Sequence, residues 1–209
     1  MSSRQLTTTS YAILGLLAVK PWATYELAKQ LQRSLHFFWP RAESNLYAEP
    51  KRLVEAGLAE AREEWNGDRK RTVYSITDKG RRAFRDWLAT PPAPQRLESE
   101  AHLRILFGNS GTKAALIAAL ERLEADAAAQ VDHFAEVGSD YARGEGAFPE
   151  RIHVNALVAS LGVAQGRALA DWARWAKAEV SEWGETSTPD VDWALKVLSD
   201  AIEGASDAP

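Results

Sequence analysis

The 209-residue chain contains no cysteine and a single methionine. Without a thiol there is no disulfide framework, no thiolate zinc or iron–sulfur ligation and no cysteine nucleophile; the absence also suits a reducing cytoplasm. Long hydrophobic runs are equally scarce. The one apolar stretch near the start, Tyr11 to Val19, falls well short of the roughly 20 residues that a membrane-spanning helix needs. It follows one cation, Arg4, offers no small-x-small cleavage site and runs at once into Pro21-Trp22. It therefore reads as a buried first helix rather than an export signal, and no other stretch is expected to enter a membrane. Histidine is thin as well. His36, His102, His133 and His153 have no carboxylate or second His at a recognised ligand spacing, so neither a metal nor another cofactor is expected. No Gly-rich phosphate loop, serine nucleophile elbow or paired carboxylates stand out, which argues against an enzyme.

What is present is an uneven charge. The net charge is −4, yet residues 1–95 carry 15 Lys/Arg against 10 Asp/Glu, while residues 96–209 carry 10 against 19. A basic first half joined to an acidic second half points to a polyanion met by the first half alone. The sign changes at Thr90-Pro-Pro-Ala-Pro94, where three prolines in five residues forbid helix and favour an extended spacer. The expected domains are 1–89 and 96–209.

Before the spacer, four helical segments flank one hairpin. The first runs from about Thr9 to Val19. The second starts with Thr24 as N-cap and Glu26 in the first turn, and it repeats Leu27, Leu31 and Leu35 at helical spacing. The third starts at Ser44 and ends at Gly57, with Leu46, Leu53 and Leu58 facing inward. Leu58 to Trp65 and Lys70 to Ile76 read as two strands about an Asn66-Gly67 turn, the strongest two-residue hairpin signal. Thr77 caps a fourth helix through about Leu88. Beyond the spacer the chain reads as almost pure helix. Leu116, Leu120, Leu123, Ala127, Val131, Phe134 and Val137 form one apolar seam; Val154, Leu157, Leu161, Ala164, Ala168, Trp172 and Trp175 form a second. Thr188-Pro189-Asp190 opens a last helix with cap, Pro at the first position and an acid in the first turn.

Three helices, a hairpin and a fourth helix in under 90 residues is the order of a winged helix-turn-helix, in which the third helix enters the major groove of double-stranded DNA. The fold class is therefore mainly α: an N-terminal winged helix-turn-helix and a C-terminal helical dimerisation domain. The expected DNA contacts are Tyr25, which divides evenly between a phosphate contact and the core, then Ser44, Asn45 and Tyr47 in the first turn of the third helix and Lys51 and Arg52 further along. Arg69, Lys70 and Arg71 join them at the hairpin tip, where cations reach phosphates without burial.

The motifs Thr24-Tyr-Glu-Leu27, Asn45-Leu-Tyr47 with Lys51-Arg-Leu-Val-Glu-Ala-Gly-Leu58, and Arg71-Thr-Val-Tyr-Ser-Ile-Thr-Asp-Lys-Gly80 resemble those of PadR-type transcriptional regulators. Leu35-His-Phe-Phe-Trp-Pro-Arg41 and the length of the tail are similar to the branch with virulence-activator-like C-terminal helices. The resemblance implies a homodimer, bound to a roughly palindromic operator and usually repressing, whose C-terminal helices interlock with those of the partner. Leu116, Leu120, Leu123, Val131, Phe134, Leu157 and Leu161 are the expected dimerisation residues. Trp172 and Trp175, at i and i+3, are the candidates for a flat hydrophobic effector. One departure stands out: the family's proline after the third-helix tyrosine is replaced by Ala48-Glu49, and proline follows only at Pro50. Pro50 is expected to kink or delay the helix, and Glu49 to place a negative charge near the DNA-facing side. The competing reading is a helical adaptor whose winged domain binds another protein.

Overall fold

The computed structural model describes residues 6–39, 43–67, 69–188 and 190–206. The chain divides into two compact units, Met1–Gln95 and Arg96–Pro209, and residues 91–99 between their helices carry neither helix nor strand.

In the first unit, α1 (Thr8–Val19) begins with a reciprocal cap: Ser10 N–H donates to Thr7 Oγ1 at 3.2 Å, and Thr7 N–H to Ser10 Oγ at 2.9 Å. It buries Ile13, Leu14, Leu16 and Leu17. Strand β1 is only Trp22–Ala23, a pair of residues that the sequence pattern does not announce. Because the chain passes straight from β1 into α2 (Thr24–Leu35), Ala23 takes the N-cap place that Thr24 was expected to fill. Thr24 Oγ1 instead donates to the Thr72 carbonyl at 3.4 Å, and Glu26 Oε2 accepts the Ala23 N–H at 3.2 Å.

Helix α3 (Glu43–Glu55) ends as its sequence suggests. Gly57 sits at φ +70°, Leu58 N–H donates to the Leu53 carbonyl at 2.8 Å, and Gly57 N–H to the Val54 carbonyl at 2.9 Å. This double closure is a Schellman motif, open to glycine because it needs a left-handed residue. Strands β2 (Ala59–Asn66) and β3 (Arg69–Ile76) pair antiparallel, and β1 pairs with the other edge of β3, giving the order β1-β3-β2. Asn66 pairs with Arg69, so Asn66 belongs to the strand and the turn follows it, one residue later than expected, with Gly67 at φ +60°. Thr77 caps α4 (Asp78–Leu88), its Oγ1 accepting the Gly80 N–H at 3.0 Å. Leu27, Leu31, Leu53, Leu58, Trp22 and Tyr74 complete a core built from large side chains.

The second unit comprises α5 (Glu100–Leu106), the long helices α6 (Lys113–Ala142) and α7 (Ile152–Glu182), and α8 (Val191–Ser206), with short 3-10 turns before α6 and α7. Helices α6 and α7 form an antiparallel hairpin. Gln130 Nε2 donates to the Gly162 carbonyl at 2.9 Å, and Lys113 Nζ to the carbonyls of Ser181 and Trp183 at 3.1 and 2.7 Å. The face that α7 turns to α6 is small: Gly162, Gly166, Ala170, Ala173 and Ala176, ending in Val180. A Cβ on Gly162 would lie 2.2 Å from the Phe134 ring, and one on Gly166 would lie 2.8 Å from Val131 Cγ2, so the helices approach through missing side chains. Helix α8 is capped by Asp190, whose Oδ1 accepts the Trp193 N–H at 3.0 Å; the expected cap, Thr188, is displaced by two residues, and Pro189 lies outside the described residues.

Candidate nucleic-acid interface

The interface is built from the exposed sides of α2, α3 and the β2–β3 hairpin. Tyr25, on the first turn of α2, is 69% exposed, a clear departure from a core position. On α3 the sides divide by helical spacing. Leu53, Glu49 and Pro50 are buried, whereas Tyr47, Ala48, Lys51 and Arg52 are exposed. Ser44 and Asn45 fall in the first turn, but their side chains lie outside the described residues.

The Glu49-Pro50 departure does not act as expected on the start of the helix or on its exposed charge. The helix runs unbroken from Glu43 to Glu55 through Pro50, which delays nothing and serves as a fully buried core residue. Glu49 does not face outward. Its Oε1 accepts a hydrogen bond from Ser10 Oγ at the N-terminal turn of α1, and its Oε2 accepts one from Arg52 Nη1 at 3.1 Å. A buried carboxylate needs such partners, and the helix N-terminus adds a favourable dipole. The negative charge is thus withdrawn from the exposed side of α3 and anchors that helix to α1. Arg52, expected as a free contact, is engaged in the same network.

The hairpin also differs from a bare cationic tip. Lys70 is exposed, with its Nζ 2.5 Å from Glu63 Oε2. Arg71 is held from both sides: Nη1 lies 3.3 Å from Glu26 Oε1 and Nη2 lies 3.3 Å from Glu64 Oε2. It is only partly exposed and ties the wing to the start of α2, which corrects its placement as an unburied tip cation. Its Nε is buried without a hydrogen-bond partner. Arg69 is adjacent to the turn by its pairing with Asn66, and its side chain lies outside the described residues. Trp65, opposite Lys70 and 72% exposed, is an aromatic group on this surface that charge-based reasoning passed over.

In the second unit the expected dimerisation residues separate into two groups. Leu116, Leu120, Leu123 and Phe134 are buried and Val131 is partly buried, all on the hairpin helix α6. They are consumed within the chain, which corrects their assignment to a partner. Leu157 and Leu161 are 70% and 57% exposed. Val191, Leu195, Leu198 and Ile202 of α8 share that exposure at a, d-like spacing, a signal present in the sequence but outweighed there by the longer helices. Trp172 and Trp175 are about half exposed, their ring centroids 6.5 Å apart and tilted by 55°. Among the described residues no group of three or more His, Asp or Glu is placed to hold a metal ion, and no helix is long and apolar enough to cross a membrane.

Comparison with known proteins covers both units. Residues 13–86 match the transcriptional regulator PadR-like family, and residues 98–181 match the virulence activator alpha C-terminal region. The negative transcriptional regulator PadR of Bacillus subtilis is 32% identical over 99 residues, 46% of this chain and 54% of that protein. A probable transcriptional regulator of Mycobacterium tuberculosis is 30% identical over 87 residues, 41% of this chain and 46% of that protein. The chain thus spans about half the length of the curated relatives it matches. Among solved structures, B. subtilis PadR in complex with operator DNA superposes with a TM-score of 0.70 at 22% identity, covering 83% of this chain and 99% of that one. The same protein in complex with p-coumaric acid gives 0.64 at 22% identity, covering 84% and 100%. The Vibrio cholerae virulence activator AphA gives 0.62 at 21% identity, covering 83% and 98%. With a winged first unit and a helical second unit each matching its counterpart in sequence, the chain belongs to the PadR-like family over residues 13–86 and carries a virulence activator alpha C-terminal region over residues 98–181.

Proposed function

We propose that the chain acts in the cytoplasm as a homodimeric repressor that binds a palindromic DNA operator and catalyses no reaction. The observation that carries this reading is the sorting of α3. Glu49, in the middle of the helix, is buried against α1 while Tyr47 and Lys51 stay exposed, on the helix that a winged fold offers to the major groove. The domains are a DNA-binding unit over 1–89 and a dimerisation unit over 96–209. The dimer forms through the exposed stripes of α7 and α8, because apolar stripes of this length are not kept wet on a monomer. Two copies of the winged unit then match a two-fold operator. The operator complex of the B. subtilis protein supports the partner; its p-coumaric acid complex supports release by a small hydrophobic effector, for which Trp172 and Trp175 are the aromatic candidates.

Selection of bound fragments from random duplexes, followed by salt titration, tests the reading. Recovered sites are expected to be two-fold symmetric. Lys51→Ala and Arg69→Ala are each expected to lower the slope of log affinity against log salt by about 0.9, one phosphate contact apiece. Unchanged slopes would favour the adaptor reading instead.

A further inference from the structure

We propose that Trp65 is an apolar contact residue of the wing, packing on the deoxyribose edge of the DNA minor groove beside the segment read by α3. The proposal rests on the DNA-binding reading above and names a residue and a chemistry that reading does not contain.

Pairing across the hairpin fixes which side chains share a face, because a strand alternates with period two. Ala59, Ala61, Glu63 and Trp65 lie opposite Ile76, Tyr74, Thr72 and Lys70. Tyr74 is buried, as is Trp22, its partner in β1. This face therefore covers the core at its base and continues outward past it. Trp65 stands at its outer end, one pair in from the Asn66–Arg69 closure.

Among the described residues the indole has no ring or hydrogen-bond partner, and it is 72% exposed. Scattered exposed apolar residues are common and carry no meaning alone; the setting distinguishes this one. On its own face the nearest charges, Glu63 and Lys70, neutralise each other at 2.5 Å. On the other face Glu64 is taken by Arg71. Among the described residues the charges flanking the indole are taken up in pairs, so Trp65 itself offers apolar area, which matches the sugar edge of the backbone rather than its phosphates. The exposed tyrosines of α2 and α3, Tyr25 and Tyr47, carry hydroxyls suited to phosphate or base edges; on the wing, Trp65 supplies the large apolar area that they lack.

The test uses the full-length protein and the duplex recovered by selection, with affinity measured by fluorescence anisotropy across a salt series. Trp65→Ala is expected to weaken binding by about tenfold or more, from lost apolar burial, with the salt slope unchanged because no phosphate contact is lost. Trp65→Phe is expected to recover most of the loss. Hydroxyl-radical cleavage, which reads sugar accessibility, is expected to show minor-groove protection that Trp65→Ala removes. Equal affinity of wild type and Trp65→Ala on a duplex that wild type binds would overturn this proposal alone, as would a loss accompanied by a reduced salt slope. Failure of the wild-type protein to bind any duplex at low salt would overturn the DNA-binding reading and this proposal with it. Because the side chain is exposed, unchanged thermal unfolding of the variant is expected to separate contact from folding.

Discussion

The two units solve the problem of burial in opposite ways. The winged unit puts its large side chains inside: Ile13, Leu14 and Leu53 are fully buried, and a three-stranded sheet and four helices close over them. The helical unit closes its main hairpin through small residues on α7, with Gly162 and Gly166 against Phe134 and Val131, and leaves Leu157, Leu161, Trp172 and Trp175 outside. The difference teaches that the residues which hold a chain together need not be its most hydrophobic ones. Close backbone approach gains dispersion contacts along the whole helix, whereas large apolar residues left wet imply that a further surface must cover them.

The strongest way to break this comparison is a charge placed on either side of the hairpin. Leu120→Asp puts an unpaired carboxylate into a site that is 1% exposed, with an expected cost of about 3–5 kcal/mol. Urea unfolding followed by circular dichroism would show it, and a loss below about 1 kcal/mol would mean that Leu120 is not an internal residue. Leu161→Asp is expected to leave the fold intact but to weaken self-association by about 30-fold, some 2 kcal/mol. Sedimentation velocity at several concentrations reads this directly, and an unchanged profile would remove α7 from the interface. Gly162→Ala sharpens the same comparison at smaller scale. The added methyl must displace the Phe134 ring, with an expected cost of about 1–3 kcal/mol for overpacking; a neutral or stabilising result would show that the ring moves freely.

What could be read in the residues follows the range of the interactions involved. Local signals carried the helices and the hairpin: Thr77 caps with its own side chain, Gly57 closes α3, and Asn66-Gly67 marks the turn to within one residue. Long-range pairings carried what escaped. Glu49 faces inward because Ser10, 39 residues away, receives it, and Arg71 is held by Glu26, 45 residues away. Strand β1 has two residues and exists only because β3 lies beside it. On α7 two stripes compete at the same helical period; ranking by hydrophobicity selects the large stripe, while packing within the chain uses the small one. The family motifs reached further, since they report the outcome of such long-range contacts rather than their physics.

The smallest expected effect belongs to the charged rim of the hairpin, and its sign can be worked out. Glu124 on α6 accepts from Lys177 Nζ at 2.8 Å and from Arg174 Nε at 3.2 Å, both on α7. The hydrogen bond from Lys177, with the attraction of both cations, holds the Glu124 carboxyl below the usual carboxylate range despite partial desolvation. The Glu124 partnership in turn raises Lys177 above the usual lysine range. A carboxyl whose folded pKa is depressed contributes stability that is complete above its unfolded pKa and is lost as pH falls through the folded one. A lysine whose folded pKa is raised contributes below its unfolded pKa and loses that contribution as pH rises through the folded one. The pair therefore stabilises across the whole interval between the two ranges, with no break at neutral pH. Comparing wild type with Glu124→Gln by thermal unfolding should give a difference that is flat around neutrality and fades in acid, below the ordinary carboxylate range. It should also shrink with added salt, since the pair sits near solvent. A difference that instead grew on acidification would place the stabilising bond elsewhere and detach the rim from the closure of α6 on α7.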